Sequence, residues 1–191
     1  MINYNGIELG PILLEDALLL QAIIRSTTPK TIVEFGHFWG ESARKMLEAM
    51  DNESHLYSFD NTKNASVIDP RFIFYQLSQT DVDKTDIKDI DFVFLDASHD
   101  FELNKETWIK LLPKLLENAI IAVHDTGTWY KGNVFEIPYG HDTDHGYLHC
   151  PGEVDFVNWI KEKYPEYQQI HFHSTRQIRH GITLLQKYKN L

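Results

Sequence analysis

TIVEFGHFWGESA, residues 31–43, is the stretch whose reading decides the fold. Thr31, Ile32 and Val33 are β-branched, and the apolar run stops at Glu34, turns through Gly36 and Gly40, and continues in Ser42, Ala43 and Met46 to Met50 as a helix. A buried parallel strand that delivers a ligand-binding turn is written this way. The two glycines permit backbone angles and close approaches that a Cβ would hinder. In an open α/β sheet, ligands bind just outside the carboxyl ends of the strands, beside the loop that starts the first helix. Glu34, Gly36, Gly40 and Ser42 are therefore candidate cofactor contacts.

The glycine spacing restricts the ligand. A dinucleotide fingerprint requires G-x-G-x-x-G so that the backbone can approach a pyrophosphate, but counted from Gly36 the second position is Phe38 and the third Glu41. A ring and a carboxylate there argue against NAD. What remains, E-x-G-x-x-x-G-x-S-A, resembles the first motif of class I S-adenosylmethionine (SAM) methyltransferases, especially small-molecule O-methyltransferases of the macrocin and mycinamicin type. The resemblance implies a Rossmann-like, doubly wound α/β sheet, mostly parallel, closed by an antiparallel C-terminal strand pair. An ordinary strand-turn-helix with packing glycines is the competing reading.

Outward from this motif, Leu56 to Phe59 reads as a second strand ending at Asp60, where dinucleotide and SAM sites alike place an acid for ribose hydroxyls. Arg71 to Leu77 reads as a third strand, followed by Ser78, Gln79 and Asp81; the resemblance puts adenine contacts here, with Ser78 and Gln79 as candidates. The fourth strand, Ile90 to Leu95, ends in Asp96-Ala97-Ser98-His99. Related O-methyltransferases carry a metal-binding aspartate at this strand end and a general base three residues later, so the resemblance makes Asp96 a metal and cofactor residue and His99 the base. Ala119 to Val123 is the fifth strand and runs into His124-Asp125-Thr126. The family pattern has two adjacent metal ligands here, usually both oxygen donors. Asp125 fits that pattern and His124 departs from it, which leaves magnesium, manganese, iron or zinc open and shifts the balance away from magnesium, a hard cation that prefers oxygen.

Helices are expected at residues 11–25, with Pro11 in the first turn, at Glu102 to Leu112 before Pro113, and at Glu153 to Tyr164 before Pro165. The first is apolar almost all round, which suits either a homodimer contact or burial within one subunit. It is too short and too interrupted by Glu15, Asp16 and Gln21 to span a bilayer of ~30 Å. Gln169 to Ser174 and Gly181 to Lys187 read as the closing strand pair. Residues 127–152 show no helical or alternating pattern, carry Trp129, Tyr130, Phe135, Tyr139 and Tyr147, and suit a lid or acceptor loop. His141, His145 and His149 within it recur at every fourth position, but Gly140, Gly146 and Pro151 favour a loop over a helical metal stripe.

The whole chain of 191 residues reads as a single domain, without internal repeat or low-complexity segment. Its 18 basic and 28 acidic residues give a formal charge of −10, which disfavours nucleic acid as a partner. A lone Cys150 cannot close an internal disulfide, and no secretory signal pattern is seen, so a cytoplasmic location is expected. Together these readings lead to a SAM-dependent O-methyltransferase, assisted by a divalent cation and acting on a small hydroxylated acceptor. The alternatives are a noncatalytic SAM-fold binding or scaffold protein and a His/carboxylate metal-dependent oxygenase.

Overall fold

The computed structural model describes residues 8–9, 12–62, 67–126, 152–173 and 181–187. Seven strands form one sheet: β1 (Thr31–Phe35), β2 (His55–Phe59), β3 (Phe72–Tyr75), β4 (Ile90–Leu95), β5 (Leu115–Val123), β6 (Tyr167–His173) and β7 (Gly181–Lys187). They lie in the order β3-β2-β1-β4-β5-β7-β6. The first five are parallel, while β7 runs antiparallel to both β5 and β6. This is the doubly wound sheet with an antiparallel closing pair that the sequence predicts. The chain builds outward from β1 to β3 and then returns to place β4 on the other side of β1. The crevice between the ends of β1 and β4 is thus the topological switch point, where such sheets bind ligands.

Strand alternation sorts the core into two layers. Val33 and Phe35 of β1, Val93 and Leu95 of β4, and Ile121 and Val123 of β5 face one layer, together with Trp108, Leu111, Phe156 and Ile160. Ile32, Phe92, Phe94 and Ala122 face the other, with Leu20, Ile24 and Met46. Helices α3 (Phe101–Leu111) and α4 (Gly152–Lys163) cover the first face, and α1 (Leu14–Thr27) and α2 (Glu41–Ala49) the second. Trp108 is fully buried and meets Phe156, Tyr164 and Tyr167 edge-on, with ring centroids 5.0–6.1 Å apart. At the start of α3 the Asp100 carboxylate accepts the Leu103 N–H at 2.8 Å, a cap that contributes ~0.5–2 kcal/mol.

Element boundaries differ from the sequence expectations in instructive ways. Helix α1 begins at Leu14 because Ile12–Leu13 pairs with Glu8–Leu9 in a short antiparallel hairpin; Pro11 lies outside the described residues. The helix buries one stripe, Asp16, Ala17, Leu20 and Ile24, and leaves Leu18 exposed. Strand β5 starts four residues before Ala119, at Leu115, with a register irregularity opposite Ile90 and Phe92. That early segment, LLEN, has no alternation to betray it; Leu115 pairs with Ile90, and Leu116, Glu117 and Asn118 are exposed. The lid expected at 127–152, including the three histidines and Cys150, falls outside the described residues except for Gly152. Among the described residues no helix is long and apolar enough to cross a membrane.

Candidate active site

The turn after β1 is built by contacts that only glycine tolerates. Gly36 has φ +97°, and a Cβ there would stand 2.2 Å from the Asp96 carbonyl oxygen, so the ends of β1 and β4 meet backbone to backbone. Gly40, at φ +76°, caps α2, and a Cβ on it would strike the His37 ring at 2.8 Å. Between them Phe38 adopts φ +43°, an uncommon angle for a bulky side chain. Asp60 holds this turn in shape. Its Oδ2 accepts the N–H groups of His37 and Phe38 at 3.0 and 2.9 Å, and its Oδ1 accepts from the Thr62 N–H and hydroxyl at 2.9 and 3.2 Å. A ribose diol at Asp60 would therefore exchange with the Thr62 contacts, while the turn keeps its brace.

Glu34 lies beneath the turn and is fully buried. One carboxylate oxygen accepts the Ser42 hydroxyl at 2.5 Å, and the other accepts the Ser58 hydroxyl and lies 3.4 Å from His37 Nδ1. Burying a carboxylate is costly unless such partners satisfy it. The predicted cofactor residues Glu34 and Ser42 thus hold the floor of the turn, and Gly36, Gly40 and Asp60 form its wall. His37 and Ser58 complete the polar floor and were missed by sequence reasoning. The His37 ring is buried against Phe72 and Phe74, with centroids 5.3 and 5.2 Å away.

Ser78 and Gln79 sit after β3 as expected, and both are tied into the fold. Ser78 caps a short 3-10 helix, Gln79–Lys84, through the Thr80 N–H. Gln79 is buried, and its amide donates to Asn104 at 3.0 Å and Thr107 at 2.8 Å, fastening that turn to α3.

At the ends of β4 and β5 the structure brings Asp96, His124 and Asp125 together, with one ligand atom from each within 4.8 Å of the others. His124 Nδ1 lies 3.0 Å from Asp96 Oδ1 and 3.4 Å from Asp125 Oδ1, and Nε2 lies 3.1 Å from Asp16 Oδ2. Burial alone would lower the imidazole pKa, but Asp96 and Asp125 beside it and its hydrogen bonds to Asp16 and Asp96 raise it well above 6.5. Asp125 is buried with φ +58°, a left-handed conformation that costs energy and concentrates at functional sites. Its other oxygen, Oδ2, points toward His99, 3.7 Å from Nδ1.

His99 Nδ1 is hydrogen-bonded to Glu153 Oε1. Glu153 comes from the first turn of α4, which sits tightly on the His99 loop: a Cβ on Gly152 would lie 1.9 Å from the His99 carbonyl oxygen. Burial pushes the Glu153 carboxyl up, and His99 pulls it partly back. A ring that donates from Nδ1 carries its lone pair on Nε2, the tautomer of a positioned base. His99, Asp125 and Glu153 form a second cluster next to the first and share Asp125 with it. Sequence reasoning missed Asp16 and Glu153. Glu153 looks like any acid in a first helical turn, whereas Asp16 left a signal as an acid inside the apolar run ILLEDALLL.

The donor set fits a divalent cation. Two carboxylate oxygens and one imidazole nitrogen converge at the switch point, and a third carboxylate backs the imidazole. A nitrogen donor suits manganese, iron or zinc better than magnesium. Any such cation must displace the proton from Nδ1.

Residues 33–126, from β1 to just past β5, match a family model described as a methyltransferase domain. An O-methyltransferase from Bacillus cereus, solved in complex with S-adenosylhomocysteine (SAH), is 15% identical, covers 94% of this chain and 83% of its own, and superposes with a TM-score of 0.65. TomG, an O-methyltransferase from Streptomyces achromogenes involved in tomaymycin synthesis and solved with SAM, is 15% identical over 92% of this chain and 80% of its own, with a TM-score of 0.65. The cofactor-bound Rv0187 from MTB is 12% identical over 97% of this chain and 85% of its own, with a TM-score of 0.70. At these identities the likeness establishes a shared fold. No curated protein matches the sequence.

Proposed function

We propose that the protein is a SAM-dependent O-methyltransferase, assisted by a divalent cation, whose acceptor is a small hydroxylated molecule. The observation that carries the reading is the juxtaposition of two sites at one switch point: Gly36 packs directly on the Asp96 backbone, so a cofactor seated on the glycine turn adjoins the Asp96, Asp125 and His124 donors. The match to a methyltransferase domain and the SAM- and SAH-bound structures of the same fold support it.

SAM would supply an electrophilic methyl group, and the cation a Lewis acid for the acceptor hydroxyl. The chain's residues do the rest. Asp60 would accept the ribose hydroxyls on Oδ1, while its Oδ2 keeps the His37 and Phe38 N–H groups. Asp96 and Asp125 would hold the cation, with His124 as the nitrogen donor. His99 takes the hydroxyl proton on Nε2, oriented by Glu153 at Nδ1, as the acceptor oxygen forms its bond to the methyl carbon and the carbon–sulfur bond breaks to leave SAH. Holding the reacting atoms in line supplies much of the rate.

The test is transfer from SAM carrying a deuterated methyl group to catechols, hexoses and hydroxylated macrolides, read by mass spectrometry. Labelled product that disappears in chelator and in both Asp96→Ala and Asp125→Ala is expected. Undiminished product in chelator would remove the cation. No labelled product from any acceptor class by SAM-bound protein would favour the noncatalytic binding protein instead.

A further inference from the structure

Asp16 stands out as a carboxylate on the buried stripe of α1, beside Ala17, Leu20 and Ile24, where nothing in the helix itself requires it. An acid in such a place is destabilising unless its contacts compensate. Its Oδ2 meets His124 Nε2 at 3.1 Å and the Gly181 N–H at 3.3 Å, so it ties α1 to the end of β5 and the start of β7.

We infer that Asp16 is the positioning carboxylate of the candidate cation site: it fixes the His124 proton on Nε2 and thereby turns Nδ1 toward Asp96 Oδ1 and Asp125 Oδ1. An ionised carboxylate only accepts, so the nitrogen facing Asp16 must donate. The opposite nitrogen faces two further acceptors, at 3.0 and 3.4 Å, and a bare lone pair among carboxylate oxygens is repulsive. A positive centre must lie between them, either a proton or a cation. One donor atom from each of Asp96, His124 and Asp125 lies within 4.8 Å of the others, close enough for all three to share one positive centre. The ring is held in place: it is 1% exposed and packs on Phe94 with centroids 5.8 Å apart. Metal-bound histidines commonly donate their other N–H to a carboxylate, which fixes the tautomer and raises ligand basicity. Here that carboxylate comes from the N-terminal helix, outside the matched methyltransferase segment.

This inference rests on the proposed cation site and deepens it. The experiment is a titration of the chelator-stripped full chain with Co(II), followed by visible absorption, for the wild type and for Asp16→Asn, Asp16→Glu and Asp96→Asn. Thermal melts followed by circular dichroism show that each variant is folded. Wild type should show saturable bands, Asp16→Asn should weaken Co(II) by ~10- to 100-fold with the fold retained, and Asp16→Glu should recover part of the loss. If Asp16 served only as the counter-ion of a protonated His124, Asp16→Asn would loosen the competing proton, and Co(II) affinity would hold or rise; either result overturns the role assigned to Asp16 while leaving the site. Absence of Co(II) bands from wild type would overturn the site, and this inference with it.

Discussion

His99 and His124 are two imidazoles at one strand-end region that share Asp125 but differ in exposure. His99 is partly open and meets two buried carboxylates, Glu153 and, at 3.7 Å, Asp125; His124 is closed off and lies among three. The first setting suits proton transfer to an acceptor and the second suits holding a positive charge. His99→Ala should therefore lower kcat by ~10²- to 10⁴-fold at saturating metal. Glu153→Gln, which keeps a hydrogen-bond partner for Nδ1, should lower it less, with SAM affinity unchanged in both. Initial-rate kinetics decide this, and near-normal turnover by His99→Ala removes it from the mechanism. The His124 prediction concerns stability. Because its folded pKa is raised, the folded protein holds the proton more tightly than the unfolded chain. Its contribution is complete below the unfolded value of about 6.5 and is lost as pH rises through the folded value. In chelator the melting temperature should fall as pH rises above about 6.5, and His124→Gln should flatten that slope. A slope unchanged by the substitution contradicts the account.

At the scale of elements, the site depends on β1 and β4 ending in backbone contact. Gly36→Ala sets a Cβ 2.2 Å from the Asp96 carbonyl oxygen, at a φ that side chains rarely adopt. The strand ends must separate, so the substitution should cost at least ~1–3 kcal/mol of stability and weaken SAH together with it. Thermal melts and calorimetry check both; a stable Gly36→Ala protein with unaltered SAH affinity would show that the close approach is dispensable. This contact also explains what the sequence disclosed. Strands β1, β2 and β4 were legible because burial writes itself as β-branched and aromatic runs, and the resemblance to O-methyltransferases pointed to the polar residues after β4 and β5. Asp96, His124 and Asp125 do converge. The partners that orient the histidines were not legible, because Asp16 lies 108 residues from His124 and Glu153 54 residues from His99. No local spacing encodes a pair that only the packing of α1 and α4 against the strand ends creates. Glu34, Ser42 and Gln79 were legible as polar residues near the site, but whether such a side chain turns toward a ligand or into the fold is set by its neighbours. Here Glu34 accepts from Ser42 and Ser58, and Gln79 donates to Asn104 and Thr107.

On the scale of the whole molecule, the doubly wound sheet concentrates function at one end. Parallel strands deliver their carboxyl ends to the same edge, so the glycine turn, Asp60, the cation donors and the His99–Glu153 pair all meet there, and the antiparallel pair β6 and β7 closes the sheet beyond β5. The two core layers, each helix-covered, hold that edge rigid, which suits chemistry that depends on alignment more than on large motion. Everything proposed about the reaction presupposes that the glycine turn takes SAM and not a dinucleotide, since Phe38 and Glu41 occupy positions where a pyrophosphate would need glycine. Calorimetric titration of the purified chain with SAH, with NAD as the control and Asp60→Ala as the variant, tests this most directly. The account predicts saturable one-to-one SAH binding, weakened by ~1–3 kcal/mol in Asp60→Ala, and no NAD binding. Tight NAD binding, or SAH affinity indifferent to Asp60→Ala, would contradict it.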